Sequence, residues 1–110
     1  MLKLDEINKI LKKGHSLQSI GVKNRALSFN EALDALTQFE KLGVPILGGD
    51  VCELQNGIFQ YNNDNWFCDK EDNESNLDYV LRSVERSKNY ILNYNIHDVN
   101  KIAFAFVLDI

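Results

Sequence analysis

Two cysteines, two histidines and a run of carboxylates are the residues here whose chemistry goes beyond packing. Zinc needs Cys or His ligands brought together, usually announced by close cysteine pairs. Cys52 and Cys68 are far apart, and His15 and His97 stand alone. Buried, reduced cysteines are the plainer reading. A calcium loop counted from Asp69 fails as well: Glu74 stands where glycine is required, and Val80 where the bidentate glutamate belongs. No metal and no cofactor is expected.

A cysteine nucleophile needs a base within hydrogen-bond reach and a group to orient that base. His97-Asp98 is the candidate, but no signature surrounds either cysteine, and a solvated histidine is the simpler reading. The P-loop, the dinucleotide glycine motif and the Gly-x-Ser-x-Gly elbow are all absent from the sequence. Asp64, Asp69, Glu71, Asp72 and Glu74 supply enough carboxyls for a general acid and base. Carboxylates in a polar loop are normally solvated and ionised, with nothing to raise one pKa above the others. Asn73-Glu74-Ser75 matches a glycosylation acceptor, which has meaning only in a secreted protein. Catalysis is therefore not expected.

The charge map is more informative. Residues 50–78 hold eight acids (Asp50, Glu53, Asp64, Asp69, Glu71, Asp72, Glu74 and Asp78) against one base, Lys70, a net −7. Residues 1–49 carry five acids and seven bases, and residues 79–110 three and four, so the chain's net charge of −4 arises wholly inside that window. Phe59, Tyr61, Trp66 and Phe67 fall there too. Acids beside aromatics suit a protein interface, where aromatics anchor and charges steer a basic partner. The expected partner-binding residues are Asp50, Asp64, Trp66, Asp69, Glu71, Asp72 and Glu74. The competing reading is a solvated acidic loop above ordinary core aromatics. Since Phe59, Tyr61 and Trp66 fit a core equally well, the assignment rests mainly on the carboxylates of 64–74.

The elements that position these residues can be read from spacing. Leu4, Ile7, Ile10 and Leu11 predict a helix ending near Lys13, with Gly14 as its cap. Residues 16–27 read as loop with some docking residues. Ser28-Phe29-Asn30-Glu31 is a capping box opening a second helix, with Gly43 beyond its end. Val44-Pro45-Ile46-Leu47 is extended, and Pro45 suits a strand start. Gly48-Gly49-Asp50 reads as a turn. Gln55-Asn56-Gly57 between apolar stretches predicts a hairpin, to which Trp66-Phe67-Cys68 adds a third strand. Leu77, Val80, Val84, Ser87, Ile91 and Tyr94 mark a long amphipathic helix. Residues 102–108 are apolar on both faces, as in a strand central to its sheet. The expected class is α+β: a mainly antiparallel sheet of about four strands with three helices, in the order α-α-β-β-β-α-β.

The 110 residues fit one domain, spanning 1–110, with ordinary apolar (45%) and charged (25%) fractions and a single proline. An acidic chain is poorly suited to nucleic acid, which is held through Lys and Arg. Met1-Leu2-Lys3-Leu4-Asp5-Glu6 does not read as a signal peptide. The longest apolar run, Ile102–Leu108, is too short to span a bilayer. The expected location is cytoplasmic, with neither nucleic acid nor membrane as partner.

Ala26-Leu27-Ser28-Phe29-Asn30-Glu31-Ala32-Leu33, Gly43-Val44-Pro45-Ile46-Leu47-Gly48-Gly49-Asp50, Trp66 and Phe104-Ala105-Phe106-Val107-Leu108-Asp109 resemble the bacterial toxin-immunity family catalogued as immunity protein forty. The resemblance covers about residues 20–110 and rests on structural motifs: a capped helix, a glycine-rich stretch and a core strand. It implies a small cytosolic α+β protein that binds and neutralises the effector domain of a polymorphic toxin. Many antibacterial toxin domains are nucleases, and nucleases tend to be basic, so a basic toxin domain is the implied partner. The family carries no residue-level motif onto this sequence. Two other readings stay open. One is a small-molecule binder or enzyme with a carboxylate-lined pocket near residues 48–50. The other is a regulatory subunit that binds through the long helix 77–94.

Overall fold

Capping and periodicity explain the helices. A computed structural model describes residues 2–110, with side chains from Lys3 onward; Met1 lies outside the described residues. Helix α1 (Leu2–Leu11) buries Ile7 and Ile10. Helix α2 (Phe29–Leu42) opens at Ser28, whose backbone N–H donates to Glu31 Oε1 at 3.3 Å, and it ends at Gly43 in the left-handed conformation. Helix α3 (Asn76–Asn93) is capped by Ser75, whose hydroxyl accepts from the Asp78 N–H at 3.1 Å.

The strands are longer than expected. After β1 (His15–Ser16) and β2 (Arg25–Ala26), strand β3 runs Ile46–Gln55 and β4 runs Ile58–Phe67, joined by a tight turn at Asn56-Gly57 with positive φ at both residues. Gly48-Gly49-Asp50 is therefore mid-strand and not a turn, and Trp66-Phe67 closes β4 and does not form a third strand. Strand β5 spans Ile102–Leu108. As expected, the chain is α+β with three helices and antiparallel sheets; among the described residues its five strands divide between a two-stranded sheet, β1 and β2, set between α1 and α2 in the chain, and a three-stranded one.

The main sheet has the order β4-β3-β5, so the centre expected for β5 is taken by β3. The apolar character of β5 has another cause. Its outer edge is covered: Phe104 exchanges backbone hydrogen bonds with Leu27 at 2.7 and 2.8 Å, and Asn24 Nδ2 donates to the Phe106 carbonyl at 3.0 Å. Both of its faces are buried too from Ala103 to Phe106. On the inner face Val51, Trp66, Phe104 and Phe106 pack against Leu36, Phe39, Val80, Val84 and Ile91 of the helices. On the outer face Cys52, Ala103 and Ala105 lie under Leu17 and Ala26, with Ile20 and Val22 at the margin. The segment 16–27 is thus the docking piece its apolar residues suggested.

Candidate functional site

The acidic window does not fold into a single surface. Pairing of β3 with β4 is regular from Gly48↔Phe67 to Asp50↔Asn65 and resumes at Cys52↔Tyr61. Three residues of β4 therefore oppose one of β3, forming a bulge at Asn62-Asn63-Asp64 with Asn63 at φ +74°. The bulge turns Asp64 toward the C-terminal end of α3, where the Tyr94 hydroxyl donates to Asp64 Oδ2 at 2.5 Å and accepts from Asn62 Nδ2 at 2.9 Å. Burial, then the Asp64 carboxylate, push the Tyr94 phenol up to about 12. Asp64 also lines a cleft of about 370 Å³ with Glu53, Asn62, His97, Asp98 and Lys101.

The loop 68–75 leads into the other end of α3. Arg82, two turns inside the helix, reaches back and fixes it. Its guanidinium donates to both Glu74 oxygens at 2.7 and 2.8 Å, to the Asp69 carbonyl at 2.6 Å and to Cys68 Sγ at 3.1 Å. Glu74 Oε1 also accepts the Glu71 N–H at 2.9 Å. The Arg82 hydrogen bond, then the Glu71 amide, hold the Glu74 carboxyl down at about 2. Glu74 is therefore already paired within the chain. The Asp69 and Asp72 side chains are exposed, and Glu71 reaches Arg82 only at 3.7 Å.

Trp66 is a core residue, 6% exposed, and not a surface anchor. Its indole N–H donates to Ser87 Oγ at 2.9 Å, and its ring stacks on Tyr90 at a centroid distance of 4.8 Å. Asp50 stands alone on the outer face, half-buried, and burial raises its carboxyl above the ordinary value. The same burial, with Asp50 close by, pushes the Cys52 thiol up to about 11. Of the seven expected residues, the structure groups Asp69, Glu71 and Asp72, pairs Glu74 internally, separates Asp50 and Asp64, and buries Trp66.

Sequence reasoning passed over Val107, which is 44% exposed, and counted Phe67, 63% exposed, among the window's aromatics without placing it in the expected site. Their places at the open end of β4 and β5 follow from the register and not from residue type. On α3, Leu77 and Leu81 are exposed neighbours, but Glu85 and Lys88 follow, so the helix offers no continuous apolar stripe. Both cysteines are free and buried. Among the described residues no three His, Cys, Asp or Glu side chains come close enough to share a metal ion. No helix there is long and apolar enough to cross a membrane.

The frame is thus a small α+β scaffold with exposed acids, buried thiols and a partly covered outer sheet face. The sequence model of the family Immunity protein 40 matches residues 16–108, and the chain belongs to that family. No curated protein matches it. The residues that carry the family resemblance touch one another in the fold: Gly49 lies under Trp66, and Trp66 packs edge-on against Phe104 and Phe106. They are framework residues.

Proposed function

We propose that this chain, acting as a single cytoplasmic domain, binds and neutralises a cognate toxin domain, with Asp69, Glu71 and Asp72 steering the encounter. Family membership supports an immunity role. The observation that carries the site is the loop itself: Arg82 holds 68–75 in one shape while these three carboxylates face solvent. A preordered acidic rim attracts a basic partner without first having to be ordered. A nuclease domain suits it best among toxin classes, because a cleft built for phosphates is positively charged. The chain acts by occupying that surface and not by catalysis. It needs no cofactor, and neither nucleic acid nor membrane is its partner.

The test is association kinetics with the catalytically inactivated C-terminal domain of the toxin encoded beside this chain. The triple variant Asp69→Ala, Glu71→Ala, Asp72→Ala should associate about tenfold more slowly at low salt, with the gap closing as salt screens the charges. Its melting temperature should lie close to wild type, because the short Glu74–Arg82 bonds remain and only the solvent-exposed Glu71–Arg82 pair at 3.7 Å is lost. An unchanged low-salt association rate would show that this rim is not the steering face.

A further inference from the structure

The outer face of the main sheet is covered over only part of its length. Leu17, Ile20, Val22 and Ala26 lie over Cys52, Ala103 and Ala105, and Phe59 packs with them. Beyond this cover the register places Asn65 and Phe67 of β4, Asp50 of β3 and Val107 of β5 on the same face. Phe67 and Val107 are largely exposed, and Tyr61, further along β4, is 39% exposed. Arg86 reaches the Phe67 ring at 6.0 Å and comes from α3, on the helical side.

Asp50 lies in the middle of this face. Its cross-strand partners are Asn65 and Ala105, neither a cation. Among the described residues no Lys or Arg pairs with it and no hydrogen bond reaches its carboxylate; burial alone acts on it. A carboxylate partly removed from water without a partner costs the isolated fold free energy. Exposed apolar side chains around it add to that cost. Both are relieved by one kind of contact, a long cationic side chain whose stem is apolar and whose tip is charged.

We propose that the uncovered end of the outer sheet face is the docking surface for the toxin domain, and that Asp50 there receives a Lys or Arg side chain of the partner, whose stem lies against Tyr61, Phe67 and Val107. This rests on the immunity reading above and adds the seat of the contact to it. Charge complementarity selects the occupant. The face continues past Phe67 and Cys68 into the acidic loop, within the window of net −7. A second copy of this chain would set Asp50 and that loop against their own like charges. A basic toxin surface meets both parts at once: the loop draws it in and Asp50 holds it.

The probe is the inactivated toxin domain used above, measured by surface-immobilised binding. Asp50→Asn keeps the shape and removes the charge. It should melt at or above wild type, because an unpaired charge is lost, yet dissociate at least about tenfold faster. Val107→Glu should weaken binding similarly, while Leu92→Ser, on the far end of α3, should leave it within about twofold. Light scattering should find the isolated chain monomeric. Wild-type dissociation rates in both Asp50→Asn and Val107→Glu overturn the proposal, as does a dimer that Val107→Glu dissolves. If wild type itself fails to bind the toxin domain, the immunity reading falls first and the proposal falls with it.

Discussion

Trp66 lies directly over Gly49, its indole filling the space where a side chain at position 49 would begin. A Cβ on Gly49 would come within 2.6 Å of the ring's Cζ2 and 2.7 Å of the Ala105 carbonyl oxygen. The glycine is required for its lack of a side chain, so that a large aromatic can cross the sheet and reach Phe104 and Phe106. Gly49→Ala should therefore destabilise the fold by ~1–3 kcal/mol through overpacking. Trp66 is the only tryptophan, so its emission reports the displacement while a urea titration measures the loss. A variant with wild-type midpoint and emission would show that the ring has room to move.

The Glu74–Arg82 pair makes the acidic loop sensitive to pH. The folded carboxyl titrates at about 2 against an ordinary 4.5, lowered first by the Arg82 hydrogen bond. A depressed carboxyl contributes stability above its unfolded value and loses it as pH falls through the folded one. Wild type should melt higher than Glu74→Gln at pH 7, and the gap should close as pH falls from 4.5 toward 2. Hydrogen exchange at the Glu71 amide, which donates to Glu74 Oε1, should speed up in the variant even where the global melting change is small. A gap that persists at pH 2 would mean the pair is not its source.

Local signals were legible in the sequence. The capping box at Ser28–Glu31, the Asn56-Gly57 turn and the spacing of α3 each depend on residues close in the chain, and each appears as expected. What was not legible depends on cross-strand context. Gly48-Gly49 looks like a turn until Trp66 is placed across it. Asn62-Asn63-Asp64 looks like a polar loop end, but it is a bulge inside a continuous strand. The charge count located the acidic window without showing which way each carboxylate points. Glu74 pairs with a residue one helix start away, and Asp64 turns to a tyrosine thirty positions on. Phe67 and Val107 became surface residues because the covering segment 16–27 stops short of them.

Tyr94 ties the bulge to the helix layer, and its removal should loosen both. Tyr94→Phe deletes the bond to Asp64 at 2.5 Å and leaves the Asn62 amide without its acceptor at 2.9 Å. Because the site is partly solvated, the cost should be about 1.5 kcal/mol, the lower end for a bond to a charged group. All four tyrosines are raised above the ordinary 10, chiefly by burial, and Tyr94 reaches about 12. A raised phenol favours the folded state below its unfolded value, and that contribution is lost as pH rises through the folded value. Phenolate absorbance should therefore lag behind that of the unfolded chain near pH 10, and stability should fall between 10 and about 12. Titration at the free-tyrosine value would contradict the buried setting of these rings.

Cys52 gives an independent reading of the electrostatics around Asp50. Burial first, and the Asp50 carboxylate second, hold its thiol at about 11, where the reactive thiolate is scarce at neutral pH. Cys52 is fully buried between the sheet and Leu17, so a thiol reagent needs local opening to reach it. Native protein at pH 8 should react slowly at Cys52, and unfolded protein quickly at both cysteines. In a Cys68→Ser background, which isolates Cys52, Asp50→Asn should shift the pH–rate curve of labelling toward lower pH, because one of the two causes is gone. It should do so without raising the opening rate measured by hydrogen exchange. An unshifted curve would mean that Asp50 is too well hydrated to act on its neighbour, and a well-hydrated carboxylate has no need of a cation from a partner. The thiol titration thus checks the docking site before any toxin domain is in hand.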